Sequence, residues 1–244
     1  MKITKVKEGV VYKTKFNGEL LVLERHRNDK VLVKFTDRFG FETITRESHI
    51  LEGNVRNPYH PRVYGVGYTG EGIYSKTTHE LIYKMWSRML ERCYSDKWHV
   101  KKPSYIECTV HEKWHNLQNF AEWFTKQKYC GVGYELDKDL LIKGNKVYGS
   151  DTCLLIPRKI NSTINVANSS NTTGFVGVIR HFGKYQSNIT VNGKTRTLGT
   201  FNTPEEASAA YVKVKEQYVK DIAISKKEAI CKKTFDALMK WSVY

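Results

Sequence analysis

The dipeptide Asn192-Gly193 constrains this chain more than any other feature. Asn-Gly favours a two-residue turn with left-handed backbone at both positions, whose twist matches that of two paired strands. Runs rich in β-branched and aromatic residues flank it, at 185–191 and 195–201, and a third run, 175–180, precedes them. Thr203-Pro204-Glu205-Glu206 then reads as a helix start, with a capping hydroxyl, proline at the first position and acids at the positive end. Ala207, Ala210, Tyr211, Val214 and Tyr218 share one face of that helix, and the alanines are small enough to lie close to a sheet. A three-stranded antiparallel sheet packed on a helix is the expected end of the chain.

The same reading, carried back to the start, predicts an α+β, multi-domain protein. Residues 19–25 are rich in Leu and Val, 30–35 alternate Val31, Val33 and Phe35 with their neighbours, and 41–45 follow; the turns Asn28-Asp29 and 37–40 separate these runs, which suggests a small β barrel over residues 1–58. Glycine and proline punctuate 59–74, a linker or irregular arm. Thr77 or Thr78 can cap a helix whose stripe is Leu81, Ile82, Met85, Trp86, Met89, Leu90 and Cys93, and a second helix is expected at 116–126. Strands at 134–142 and 152–156, joined by the loop 143–150, lead into a short helix opened by Pro157. The central core therefore spans 75–165, a polar linker 166–173, and the last domain 174–244.

Composition narrows the function. Forty Lys and Arg against 25 Asp and Glu leave a formal charge of +15, and each third of the chain carries its own basic excess. A basic excess distributed over folded segments points to a polyanion such as nucleic acid, where neutralised phosphates release counterions. Five cysteines without a CxxC pair argue for a reducing compartment, and no apolar run approaches a membrane span. No apolar stretch follows the lysines at the N-terminus, so no secretory signal is expected. The spacing of Cys93, Cys108, His111 and Cys153 fits no zinc finger, and His111 and His115 lack a third ligand at matching spacing.

Two resemblances follow from particular residues. Gly177-Val178, Gly183-Lys184-Tyr185, Leu198-Gly199-Thr200-Phe201 and Glu205-Glu206-Ala207 with Ala209-Ala210-Tyr211 resemble the plant ethylene-response-factor (AP-two) DNA-binding domain. That resemblance implies a sheet lying in the major groove of double-stranded DNA, with Arg180, Lys184, Tyr185, Ser187, Lys194 and Arg196 facing it. Trp86, Met89, Arg92-Cys93-Tyr94, Tyr105, Cys108, Trp114, Phe120, Trp123, Leu136-Asp137-Lys138-Asp139, Tyr148, Asp151-Thr152-Cys153 and Pro157 resemble bacteriophage HNH homing endonucleases, whose core is a ββα finger.

The second resemblance implies a divalent metal such as Mg²⁺, if the finger is catalytic, and host cytoplasm as the location. Asp137 matches the aspartate of the family's Asp-His pair, but Lys138 stands where the histidine base belongs. Asn145 is the candidate loop asparagine, and Asp139 and Asn161, with Asn165 as another choice, are candidate metal ligands. Two readings therefore remain: a DNA-binding nuclease of HNH type, and a non-catalytic DNA-binding, regulatory or inhibitory protein, with a protein partner open in either case.

Overall fold

The computed structural model describes residues 5–165 and 172–244, so most of the expected linker at 166–173 lies outside the described residues. The chain is α+β and divides into two compact units, residues 1–122 and 123–244.

The first unit opens with β1 (Val11–Lys13), β2 (Glu19–Arg25), β3 (Lys30–Phe35) and β4 (Glu42–Arg46), an antiparallel meander in that spatial order. Period-two alternation turns Leu20, Val22, Val31, Val33 and Phe35 to one face, where they are buried with Val6, Ile50 and Val55. Asn28 and Asp29 take positive φ at the β2–β3 turn, as the sequence suggested. The expected barrel is instead an open sheet, with β1 and β4 at its edges. Closure requires those two strands to pair, but β1 has only three residues. Another segment takes that side: Lys15 N–H donates to Gly53 O (2.9 Å), and α1 (Glu47–Leu51) brings the Glu47 carboxylate to Val6 N–H.

Residues 59–74 form an irregular arm that is pinned in place. Gln118 donates to the carbonyls of Thr69 (2.7 Å) and Tyr74 (2.9 Å) and accepts from Tyr74 N–H (3.1 Å). Next comes α2 (Glu80–Tyr94), which starts after the expected threonine caps and buries Ile82, Trp86, Met89, Leu90 and Cys93. The indole of Trp86 donates to Trp114 O (2.7 Å). After α3 (Asp96–Lys101) and β5 (Thr109–Val110), α4 (Leu117–Thr125) contains the division between the units.

In the second unit, β6 (Tyr134–Asp137), β7 (Val147–Tyr148), β8 (Leu154–Pro157) and α5 (Arg158–Ile164) follow in order, and β6 pairs antiparallel with β8. The three-stranded sheet of β9 (Val178–His181), β10 (Lys184–Val191) and β11 (Lys194–Phe201) comes next, with β10 in the middle. Its helix, α6 (Pro204–Ser225), begins with a complete Thr203–Glu206 capping box, and α7 (Lys232–Met239) follows.

Helix α6 is long enough to serve two cores. Tyr211 packs with Val176 and Ile189 under the sheet. Val219, Ile222 and Ala223 pack with Ile156, Ile160 and Ile164 of the ββα element and with Leu238 of α7. Between the two cores lies Lys215, only 8% exposed, whose ammonium burial pushes below its ordinary pKa. Lys215→Met should therefore raise stability at neutral pH by about 1 kcal/mol. A lowered folded-state pKa means the native state holds fewer protons there, so the wild-type deficit should shrink as pH rises through that pKa. Thermal melts of both proteins at pH 7 and pH 10 check the size and the sign. Among the described residues no helix is long and apolar enough to cross a membrane.

Candidate nucleic-acid interface

The register of the C-terminal sheet follows from its turns. Asn192 and Gly193 both have positive φ, Val191 pairs with Lys194, and Ile189 then falls opposite Arg196. Directly opposed residues share a face. Ile189 is buried toward α6, so Arg196 belongs to the helix side, and Lys194, opposite Val191, does too. On the other edge, Ser187 pairs with Val178 and Tyr185 with Arg180, again on the helix side. Ser187 is 0% exposed, with a hydroxyl that has no partner among the described residues, and so cannot meet a groove.

Of the six residues expected to face DNA, the open face carries only Lys184; Arg180, Tyr185, Ser187, Lys194 and Arg196 are out by one residue in parity. Arg180 and Arg196 nonetheless remain exposed, and the Arg180 guanidinium lies over the Tyr185 ring at 5.6 Å. Counting outward from Asn192-Gly193, with Ile189 assigned to the core, would have given the correct phase.

The face away from α6 is built in rows. His181 stands beside Lys184, Ile179 beside Gln186 and Thr200, Asn188 beside Thr197, and Thr190 beside Thr195. At the β9–β10 turn Phe182 takes φ +45° and is 93% exposed, next to Gly183 at φ +72°. Its ring meets the His181 imidazole edge-on at 4.6 Å, so a solvated aromatic on left-handed backbone is held at the turn tip. No Asp or Glu occurs anywhere between Asp151 and Glu205, a charge asymmetry that is legible in the sequence alone.

The ββα element brings several expected residues together. β6 ends at Asp137 and Lys138 follows at its mouth. The Lys138 ammonium is buried and donates to Asp139 Oδ1 (2.7 Å) and to Asn145 O (2.6 Å). Asn145 donates to Lys138 O (2.9 Å) and Val147 O (2.7 Å) and accepts from Val147 N–H (3.1 Å), so it ties both ends of the loop. Asp137 and Asp139 do not share an open strand face, because the strand stops between them. Asp137 Oδ1 accepts the backbone N–H groups of Asp139 (3.0 Å) and Leu140 (2.7 Å). Burial pushes the Asp137 carboxyl up, against those two hydrogen bonds, and the neighbouring Cys153 thiol is pushed up to about 12 by burial.

A divalent cation needs converging, available oxygens. Asp139 is paired with the Lys138 ammonium. Asn161 is engaged at both amide atoms, donating to Glu135 Oε2 (2.7 Å) and accepting from Asn165 Nδ2 (2.7 Å). Asp137, Asp139 and Asn165 do line a cleft of about 450 Å³, but Lys143 and Lys240 line it as well. As built, these residues do not fit a divalent metal. In the first unit, His111 caps a turn by accepting Lys113 N–H (3.3 Å), and His115, which burial pushes toward the neutral form, lies 3.4 Å from the Tyr94 hydroxyl.

No protein-family model, no curated protein and no solved structure matches the chain.

Proposed function

We propose that this chain is a double-stranded DNA-binding protein that seats the open face of β9–β11 in the major groove, with the ββα element as a folded scaffold rather than a base-driven nuclease. The observation that carries the reading is that face itself: polar, solvent-exposed among the described residues, free of acidic residues and edged by Lys184 and His181. Three strands about 4.8 Å apart span roughly 10 Å, which suits a groove about 12 Å wide. The resemblance to AP-two domains supports the same use of the sheet. The Lys138 ammonium, donating to a carboxylate and a carbonyl, is committed as a donor and so is unsuited to accept a proton.

Duplex binding should be steeply salt-dependent. Contact with about six phosphates predicts a slope near −5 for log K against log salt. Fluorescence anisotropy with a labelled duplex from low to physiological salt measures it, and no affinity even at low salt would leave a protein-partner role in its place. Incubation of duplex with Mg²⁺ or Mn²⁺ checks the scaffold half. Cutting that disappears in Asp137→Ala while binding persists would restore the nuclease reading.

A further inference from the structure

We infer that the open face of β9–β11 selects A·T base pairs over G·C; this rests on the duplex-binding reading above and specifies its substrate. The central rows of the face carry an amide, an aliphatic side chain and hydroxyls. Gln186, at the middle of the sheet, lies between Ile179 on β9 and Thr200 on β11. Its carbonyl accepts from Asn188 Nδ2 (3.2 Å), and Asn188 Oδ1 in turn accepts from the Thr197 hydroxyl (2.9 Å). That relay pre-positions the Gln186 amide. Its Oε1 has a second lone pair available, and its NH₂ has no partner among the described residues.

A free acceptor beside a free donor complements adenine, which presents an N6–H donor and an N7 acceptor in the major groove. Ile179, 49% exposed in the same row, offers the apolar contact that a thymine methyl group takes. The groups that would favour the other pair are displaced. Guanine is read best by a bidentate guanidinium, yet Arg180 and Arg196 lie on the α6 side of the sheet. Cytosine offers a donor that carboxylates accept, and the sheet has none. Lys184, the one cation on the open face, is in the end row with His181, beside the Phe182 turn, where a phosphate at the groove edge would meet it.

The test uses the intact chain. Duplexes retained from a random pool at fixed salt should be enriched in a short A·T element. Within that element, replacing one adenine by 7-deazaadenine removes the N7 acceptor and should weaken wild-type binding about five- to a hundredfold. Gln186→Ala should lose affinity by a similar factor and become indifferent to that replacement. Uracil for thymine should weaken the wild type and leave Ile179→Ala unaffected. Both side chains are on the open face, so neither variant disturbs the core. Retained duplexes that are G·C-rich, or that have no preference, would overturn the inference while leaving duplex binding intact. Absence of any retained duplex would instead remove the reading beneath it.

Discussion

Gly177→Ala should unfold the C-terminal sheet and abolish its DNA affinity, whereas Gly183→Ala should do neither. Both glycines hold left-handed backbone, at φ +73° and +72°, so each substitution carries the same conformational cost of about 1 kcal/mol. Their surroundings separate them. A Cβ at Gly177 would lie 2.1 Å from the Tyr211 ring, while one at Gly183 would meet nothing within 4 Å. Tyr211 is one of three buried residues in that core, with Val176 and Ile189, and cannot swing aside without emptying it. Overpacking therefore adds about 1–3 kcal/mol at Gly177 alone, a large share for a core this small. Urea denaturation followed by tryptophan-independent probes of the sheet, such as amide hydrogen exchange at Gln186 and Asn188, reads the difference. Equal losses in the two variants would mean that α6 and the sheet are not in this close contact. Measured against Tyr211→Ala alone, adding Gly177→Ala should cost only the backbone part, because the overpacking partner is gone.

The contrast between those glycines indicates which parts of the structure were legible in advance. The Asn192-Gly193 hairpin, the Thr203–Glu206 cap and the ββα order around Pro157 are local signals, fixed by neighbours within a few residues, and each is present, although the first strand of the ββα element stops at Asp137 instead of running to 142 and β7 lies within the expected loop. The stripe of α2 was readable for the same reason, except that Leu81 remains 38% exposed. What failed depends on distant partners. Whether the N-terminal meander closes is decided by Gly53 meeting Lys15, across a long stretch of chain. Which face of β9–β11 is covered is decided by where α6 returns, and a one-residue error in that parity exchanged Arg196 for Thr197 and Ser187 for Asn188. In the loop after β6, residue types alone suggested ligands. Only the three-dimensional pairing of Asp139 with Lys138, and of Asn161 with Glu135, shows that those groups are already engaged.

Lys138→Met should cost about 2–3 kcal/mol and loosen residues 138–147, because the ammonium closes that loop. Hydrogen bonds to a charged group contribute about 1.5–3 kcal/mol when buried, and Lys138 makes one to Asp139 and one to Asn145 O. Asp139 is about half exposed and regains water on losing its partner, so the larger loss is at the Asn145 carbonyl. Asn145 itself should hold on through its bonds to Lys138 O and Val147 O, which use the backbone and survive the substitution. Faster amide exchange confined to this loop, with α6 and the sheet unchanged, is the expected pattern. Lys138→His should lose similar stability, since an imidazole is too short to reach both acceptors from the same Cα. It should also gain no metal-dependent cutting. Asp137 Oδ1 stays bonded to two backbone amides and Asn161 stays bonded to Glu135, so restoring a base does not assemble a metal site around it. Cutting by Lys138→His under Mg²⁺, lost again on adding Asp137→Ala, would mean that these donors rearrange when a nucleic acid enters the cleft, and the lysine would then be the single block on the chemistry.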